Sequence, residues 1–195
     1  MPKWELFGRE TFTMEGDPAI CVITDSYLKG LRDFDVRAAY EAFLKSATSP
    51  GDQNPLRPDI DHYLSEGFVP LGCYEADLSG DNSVSHALEY YVADHSLSLL
   101  ADALGHREDA LLMRNRSLGY RKYYDRQYGT LRPLNADGSQ PAPGREFRAR
   151  AGFPRGKRVE LYFLCPSRCG GAGKADGRPP QVCGQAAEGL RRGAV

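Results

Sequence analysis

The sequence contains no long hydrophobic run, a single tryptophan and only three methionines, and its five cysteines follow no regular pattern. The first absence excludes a membrane-spanning helix, which needs about 20 consecutive apolar residues. The opening Met1-Pro2-Lys3-Trp4-Glu5 has neither the basic nor the apolar region of a secretion signal, so an exported parent protein is expected to carry its leader outside this chain. Cys21 and Cys73 stand alone while Cys165, Cys169 and Cys183 crowd the end, an odd count that supplies no disulfide framework and assigns no redox compartment. His62, His86, His95 and His106 lack ligand spacing and are read as structural or exposed. Net charge is also nearly absent, at −1. That balance hides a split. Up to Ser139 there are 14 Lys and Arg against 22 Asp and Glu, a net of −8, and from Gln140 onward 11 against 4, a net of +7.

What is present is helical periodicity in a chain long enough, at 195 residues, for one domain with a real core. From Asp17 to Arg32, the residues Ala19, Ile20, Val22, Ile23, Tyr27, Leu28 and Leu31 line one side of a helix that Gly16-Asp17-Pro18 starts. Asp35 caps a second helix through Ala47, with Val36, Ala39, Tyr40, Phe43 and Leu44 inward, and the two read as an antiparallel hairpin. A breaker-rich loop from Ser49 to Pro58 follows, then a short turn at Ile60 to Leu64. The longest clean pattern runs from Asp81 to Leu104, capped by Asn82 or Ser83. Its stripe is Val84, Ala87, Leu88, Tyr91, Val92, Leu99, Leu100, Ala103 and Leu104. A further helix is predicted from about Glu108 to Tyr124, burying Leu111, Leu112, Leu118 and Tyr124. Beyond Gln140 the sequence is rich in Pro, Gly and Arg and predicts an irregular or disordered basic tail.

The tail carries three motifs that chemistry disfavours. Cys165, Cys169 and Cys183 fall short of a zinc site, which needs four ligands at fixed spacing, and no histidine is near. Gly171-Ala172-Gly173-Lys174 is followed by Ala175 instead of Ser or Thr, and no strand precedes it, so it is not a phosphate loop. Basic residues alone are compatible with nucleic-acid phosphates, yet beyond Phe153 Tyr162 and Phe163 are the only aromatics, and neither nucleic acid nor a membrane is expected as partner.

The helical part is different, because helices lined with Trp, Tyr, Asp and Glu are suited to a sugar pocket. Glycosidic cleavage needs one carboxylic acid to protonate the departing oxygen and a second carboxylate to activate water or to attack. Asp17, Asp25, Glu89 and Asp94 are the candidates. Each has a plain structural reading: an N-cap for Asp17, a solvated or salt-bridged face for Asp25 and Asp94, and an ordinary helix residue for Glu89, which follows Leu88 at the edge of the apolar stripe. Spacing does not identify the pair.

The order of segments says more. Pro2-Lys3-Trp4-Glu5-Leu6 comes first, followed by Met14-Glu15-Gly16-Asp17-Pro18-Ala19 and Val22-Ile23-Thr24-Asp25-Ser26-Tyr27-Leu28-Lys29-Gly30. Ser83-Val84-Ser85 to Leu88-Glu89-Tyr90, Ala103-Leu104-Gly105 and Asn135-Ala136-Asp137-Gly138-Ser139 complete the series. Together they resemble the catalytic domain of glycoside hydrolase family 92, over Met1 to about Phe153. The resemblance implies an all-α fold here, a partial (α/α)6 barrel made of helical hairpins, taken from exo-acting α-mannosidases that invert the anomeric centre and use calcium at the sugar site. It implies that Glu89, in the Ser-Val-Ser-x-x-Leu-Glu-Tyr motif, is the general acid. Asp17, Asp25 and Asp94 match recurrent positions to which it assigns no role. Its implied partner is a mannose-containing glycan, and its members are typically secreted or periplasmic.

The resemblance breaks at Phe153. There the family has a Phe-His-Glu-Gly-Asn-Ala-Trp-Asn-Tyr-Thr-Phe run that binds mannose and helps hold calcium. This chain has Phe153-Pro154-Arg155-Gly156-Lys157-Arg158-Val159-Glu160-Leu161-Tyr162-Phe163. Codons shifted by one nucleotide allow Pro154 to conceal His, Arg155 Glu, Lys157 Asn and Val159 Trp, and the register continues through Pro166-Ser167-Arg168 and Lys174-Ala175-Asp176-Gly177. The expectation is therefore a catalytic-barrel segment over residues 1–153 and an out-of-frame translation over 154–195. Such a chain would be inactive and would hold no calcium itself. A helical-hairpin module of the solenoid kind, binding another protein, is the alternative, and it predicts internal repeats that the two hairpins do not display.

Overall fold

The computed structural model describes residues 5–6, 8–10, 15–73, 75–76, 80–127 and 130–142. Expectations for the tail, including its cysteines, its glycine-rich loop and the change of frame, fall outside those residues. The described part is helical, and strands occur there only as two-residue antiparallel pairs: β1 (Glu5–Leu6) with β2 (Arg9–Glu10), β3 (Glu75–Ala76) with β4 (Gly80–Asp81), and β5 (Tyr124–Asp125) with β6 (Thr130–Leu131).

Helix α1 spans Ala19–Leu28, with Pro18 leading in at φ −62. It stops short of Arg32 because Gly30 adopts φ +93, a left-handed turn that ends the helical hydrogen bonding. Helix α2, Val36–Thr48, starts as predicted, with the Asp35 carboxylate accepting from the Ala38 N–H at 3.0 Å. The segment expected to be a short turn is helix α3, Ile60–Glu66, closed by Gly67 at φ +74. Helix α4 runs Ser83–Leu104 and ends at Gly105; Asn82 occupies the cap position without a side-chain capping bond. Helix α5 covers only Arg107–Ser117, with Glu108 and Asp109 in its first turn and Arg114 and Arg116 in its last, matching the helix dipole. Leu118–Tyr123 then tighten into a 3-10 turn instead of continuing the helix. Gly119 lies in that turn, where a Cβ would stand 2.6 Å from the Tyr91 ring and 2.9 Å from the Gly67 carbonyl oxygen.

The predicted single stripe of α4 is corrected. Helices α1, α2 and α5 and the 3-10 turn all pack on it. Its N-terminal part is accordingly buried on almost every side, from Ser83 through Leu88 and at Tyr90, Tyr91, Ala93 and Asp94. A helix enclosed in this way needs small and polar residues as well as apolar ones, which is why its periodicity understates its burial. Two cores flank it. One is rich in tyrosine and gathers Tyr63, Phe68, Val69, Tyr90, Tyr91 and Tyr123 around the start of α4. The other collects Ile20, Phe43, Leu97, Leu100 and Met113 around its end.

Several residues expected inside are outside. Leu111 and Leu112 are exposed because α5 turns Ala110, Met113 and Ser117 inward, the face that packs on α4. Val22, Leu28 and Leu31 are exposed too, since α1 buries only Ile20 and Thr24. Leu118 and Tyr124 are half-buried.

Candidate active site

Between the two cores lies a layer of buried charge. Arg57, delivered by the breaker-rich loop ahead of α3, is completely enclosed. Its Nη1 donates to Asp94 Oδ1 at 2.9 Å, and its Nη2 and Nε donate to the Asp17 carboxylate at 3.1 and 3.3 Å. Its plane faces the Tyr90 ring, 5.0 Å from the centroid. Asp94, fully buried on α4, also accepts from the Tyr63 hydroxyl at 2.7 Å and from Arg116 Nε at 2.5 Å. Arg116 continues to the Ala47 carbonyl oxygen at 2.9 Å, and Ser46 donates to Asp17 Oδ2 at 2.7 Å. Two carboxylates and two guanidiniums thus link the loop before α1, α2, the loop before α3, α4 and α5.

The protonation states follow from the surroundings. Burial by itself pushes the Arg57 guanidinium down, but Asp17 and Asp94 together more than reverse this and hold it above its ordinary value, so it stays charged. Burial, then the charge of Asp94, raises the Tyr63 phenol well above its usual range. The Tyr90 phenol is raised likewise by burial and by Asp59, to whose Oδ1 it donates at 2.6 Å. Asp59 Oδ2 lies 2.9 Å from His86 Nδ1, and His86 Nε2 is 3.9 Å from Glu15.

Glu89 belongs to another environment. Glu89, Val92, His95, Ser96 and Leu99 are half-buried and Asp102 and Ala103 are exposed, and together they trace the open strip along α4. Glu89 is directed toward the chain that enters α1. A methyl group built on Gly16, which has φ +69, would stand 2.6 Å from Glu89 Cβ, 3.2 Å from Cγ and 3.3 Å from Oε2. Cys21 of α1 is close to the same carboxylate. Its thiol is raised, first by burial and then by the charges of Glu89 and Asp17, while the Ser96 hydroxyl at 3.4 Å and the Arg57 charge oppose the rise.

Of the four carboxylates picked from sequence, Asp17 and Asp94 meet through Arg57, and Glu89 stands beside Gly16, the neighbour of Asp17. Asp17 is not an N-cap: its carboxylate serves Arg57 and Ser46. Asp94 is salt-bridged, as one reading held, but it is buried and not on a solvated face. Asp25 is an exposed residue paired with Lys29 at 2.6 Å. His62 is exposed beside Glu66, and His106 stacks on Tyr40 at 4.6 Å. Arg57, Arg116, Asp59 and Tyr63 were missed. Among the described residues no group of three or more His, Cys, Asp or Glu is arranged to hold a metal ion.

The family model for the Glycosyl hydrolase family 92 catalytic domain matches residues 1–171, a span that runs past Phe153. Among solved structures, an inverting family 92 mannosidase from Bacteroides thetaiotaomicron is 21% identical with a TM-score of 0.72, over 85% of this chain and 22% of its own. A second family 92 α-mannosidase of that organism, solved with mannoimidazole, is 23% identical with a TM-score of 0.76, over 97% of this chain and 24% of its own. The same enzyme solved without it gives 25% identity, the same TM-score of 0.76 and the same coverage. No curated protein matches. The chain therefore spans under a quarter of the length of the solved structures it matches.

Proposed function

Because this chain belongs to glycosyl hydrolase family 92, we propose that it forms part of the catalytic region of an exo-acting α-mannosidase that hydrolyses terminal α-linked mannose from glycans with inversion. The observation that carries the reading is the position of Glu89. It is a carboxyl on the open strip of an otherwise enclosed helix, packed against backbone and half-shielded from water. Such a group suits a proton donor, since it is held in place by the fold and yet lies where a departing oxygen could meet it. In an inverting enzyme the second carboxylate stands about 6.5–9.5 Å away and draws a proton from the attacking water. Asp17 and Asp94 are unsuited to that task because each is already ion-paired to Arg57. The base is therefore assigned to the remainder of the enzyme, as is the calcium, which in the intact protein would hold and polarise the sugar. The 195-residue chain alone is accordingly inactive. A mannose-shaped ligand for the intact enzyme is supported by the solved relative that carries mannoimidazole.

The test is hydrolysis of an aryl α-mannoside by this chain and by a longer enzyme with the family's reading frame restored after Phe153, with and without a calcium chelator. The reading requires no turnover by the chain, and chelator-sensitive turnover by the longer enzyme that collapses in Glu89→Gln. An active longer enzyme indifferent to that substitution would overturn the assignment of Glu89.

A further inference from the structure

We propose that Arg57 is a positioning residue for Glu89: by tying Asp17 to Asp94 it holds the Gly16 backbone against the Glu89 side chain and thereby fixes where that carboxyl points. The functional meaning rests on the reading of Glu89 as proton donor; the geometric claim does not.

The strut begins and ends near the residue it serves. Asp94 lies on α4 itself, five residues beyond Glu89, and is immobilised by Tyr63 and Arg116 as well as by Arg57. Arg57 reaches from it to Asp17, whose second anchor is Ser46 of α2. Gly16 is the residue immediately before Asp17, so the clamp on Asp17 sets the height of the Gly16 backbone above α4. No side chain fits there: a Cβ would stand 2.6 Å from Glu89 Cβ, and the φ of +69 disfavours every residue with one. The planar guanidinium is well suited to this task, because its fork serves two carboxylates along fixed directions, which an ammonium on a flexible stem does not.

The 195-residue chain contains its own reporter. Cys21 is half-buried beside Glu89, and the negative charge of that residue disfavours its thiolate, whereas Cys73 is exposed and serves as an internal control. The experiment is the pH dependence of iodoacetamide alkylation, resolved by peptide mass spectrometry, for the wild type and for Glu89→Gln, Gly16→Ala and Arg57→Lys. Glu89→Gln calibrates the reporter: with that negative charge gone the thiolate is less disfavoured, and below its midpoint Cys21 reacts faster than in the wild type. Gly16→Ala, which forces the carboxyl aside, and Arg57→Lys, which keeps the charge but loses the fork, are expected to move the Cys21 profile in the same direction while Cys73 is unchanged. A profile that responds to Glu89→Gln but to neither other substitution overturns the proposal, and one that ignores Glu89→Gln overturns the geometry beneath it. Should Arg57→Lys unfold the chain, so that Cys21 reacts like Cys73 at every pH, Ser46→Ala removes a single bond to Asp17 and decides in its place: a shift supports the strut, and an unmoved profile refutes it. Failure of the proton-donor reading is seen separately, in mannoside turnover by the longer enzyme, and leaves these profiles as they are.

Discussion

Glu89 and Asp94 sit five residues apart on one helix and are both acidic, yet the fold treats them in opposite ways. Asp94 is fully enclosed, and two arginines and a tyrosine hydroxyl occupy its oxygens. Glu89 lies on the helix's open strip against a glycine. A carboxylate whose oxygens are taken up by two guanidiniums and a phenol inside the fold holds structure, whereas one on a half-buried strip beside the chain that enters α1 lies within reach of solvent. The contrast separates an architectural acid from a candidate working one, and it comes from the neighbours rather than from the residue type.

The sharpest way to break the comparison is to remove the cation that makes Asp94 architectural. Arg57→Met leaves two buried carboxylates short of a partner, and destabilisation by about 3–5 kcal/mol is expected, read as a lost or much lowered denaturant midpoint. A loss below about 1 kcal/mol would mean that the layer is hydrated and that Asp94 resembles Glu89 after all. Tyr63→Phe is milder: it removes one bond to a charged acceptor and should cost about 1.5–3 kcal/mol.

Tyrosine also gives the surroundings of the buried carboxylates Asp94 and Asp59 a response to high pH. In the unfolded chain Tyr63 and Tyr90 lose their protons near the ordinary value of 10.0, while in the fold burial and the carboxylates of Asp94 and Asp59 keep them protonated to higher pH. Their contribution to stability is therefore fully present below that value and falls as pH rises beyond it. Thermal melts above pH 10 should drop more steeply in the wild type than in the Tyr63→Phe, Tyr90→Phe double variant; parallel slopes would contradict the burial of these hydroxyls.

The smallest effects belong to the open and exposed acids. Glu89→Gln should change stability by less than about 1 kcal/mol. Asp25→Asn breaks only the solvent-screened pair with Lys29 and should leave the denaturant midpoint within error. A large loss in either would erase the distinction drawn here.

The contrast was only half legible in the sequence. Helices α1, α2, α4 and α5 announced themselves through apolar spacing, the Asp35 cap and the glycines at positions 30 and 105, because those signals act within a few residues. The inward faces of α1 and α5 did not: Val22, Leu111 and Leu112 are apolar yet exposed, and the contacts of α5 are made by Ala110, Met113 and Ser117. Arg57 was invisible for a different reason. Its partners are 40 and 37 residues away, and nothing in a proline-rich loop marks one arginine as the centre of a buried layer. Glu89 was reached through the order of segments, since one glutamate on a helix carries no chemistry until Gly16 and α1 are brought beside it.

The central claim, that Glu89 supplies the proton to the departing sugar oxygen, is tested most directly by leaving-group dependence in the longer enzyme with the frame restored. Turnover of a dinitrophenyl α-mannoside, whose leaving group departs without protonation, is compared with that of a methyl α-mannoside in the wild type and in Glu89→Gln. The account predicts a loss of about 10²- to 10⁴-fold on the methyl glycoside and little loss on the dinitrophenyl one. An equal loss on both substrates, or none on either, would contradict it.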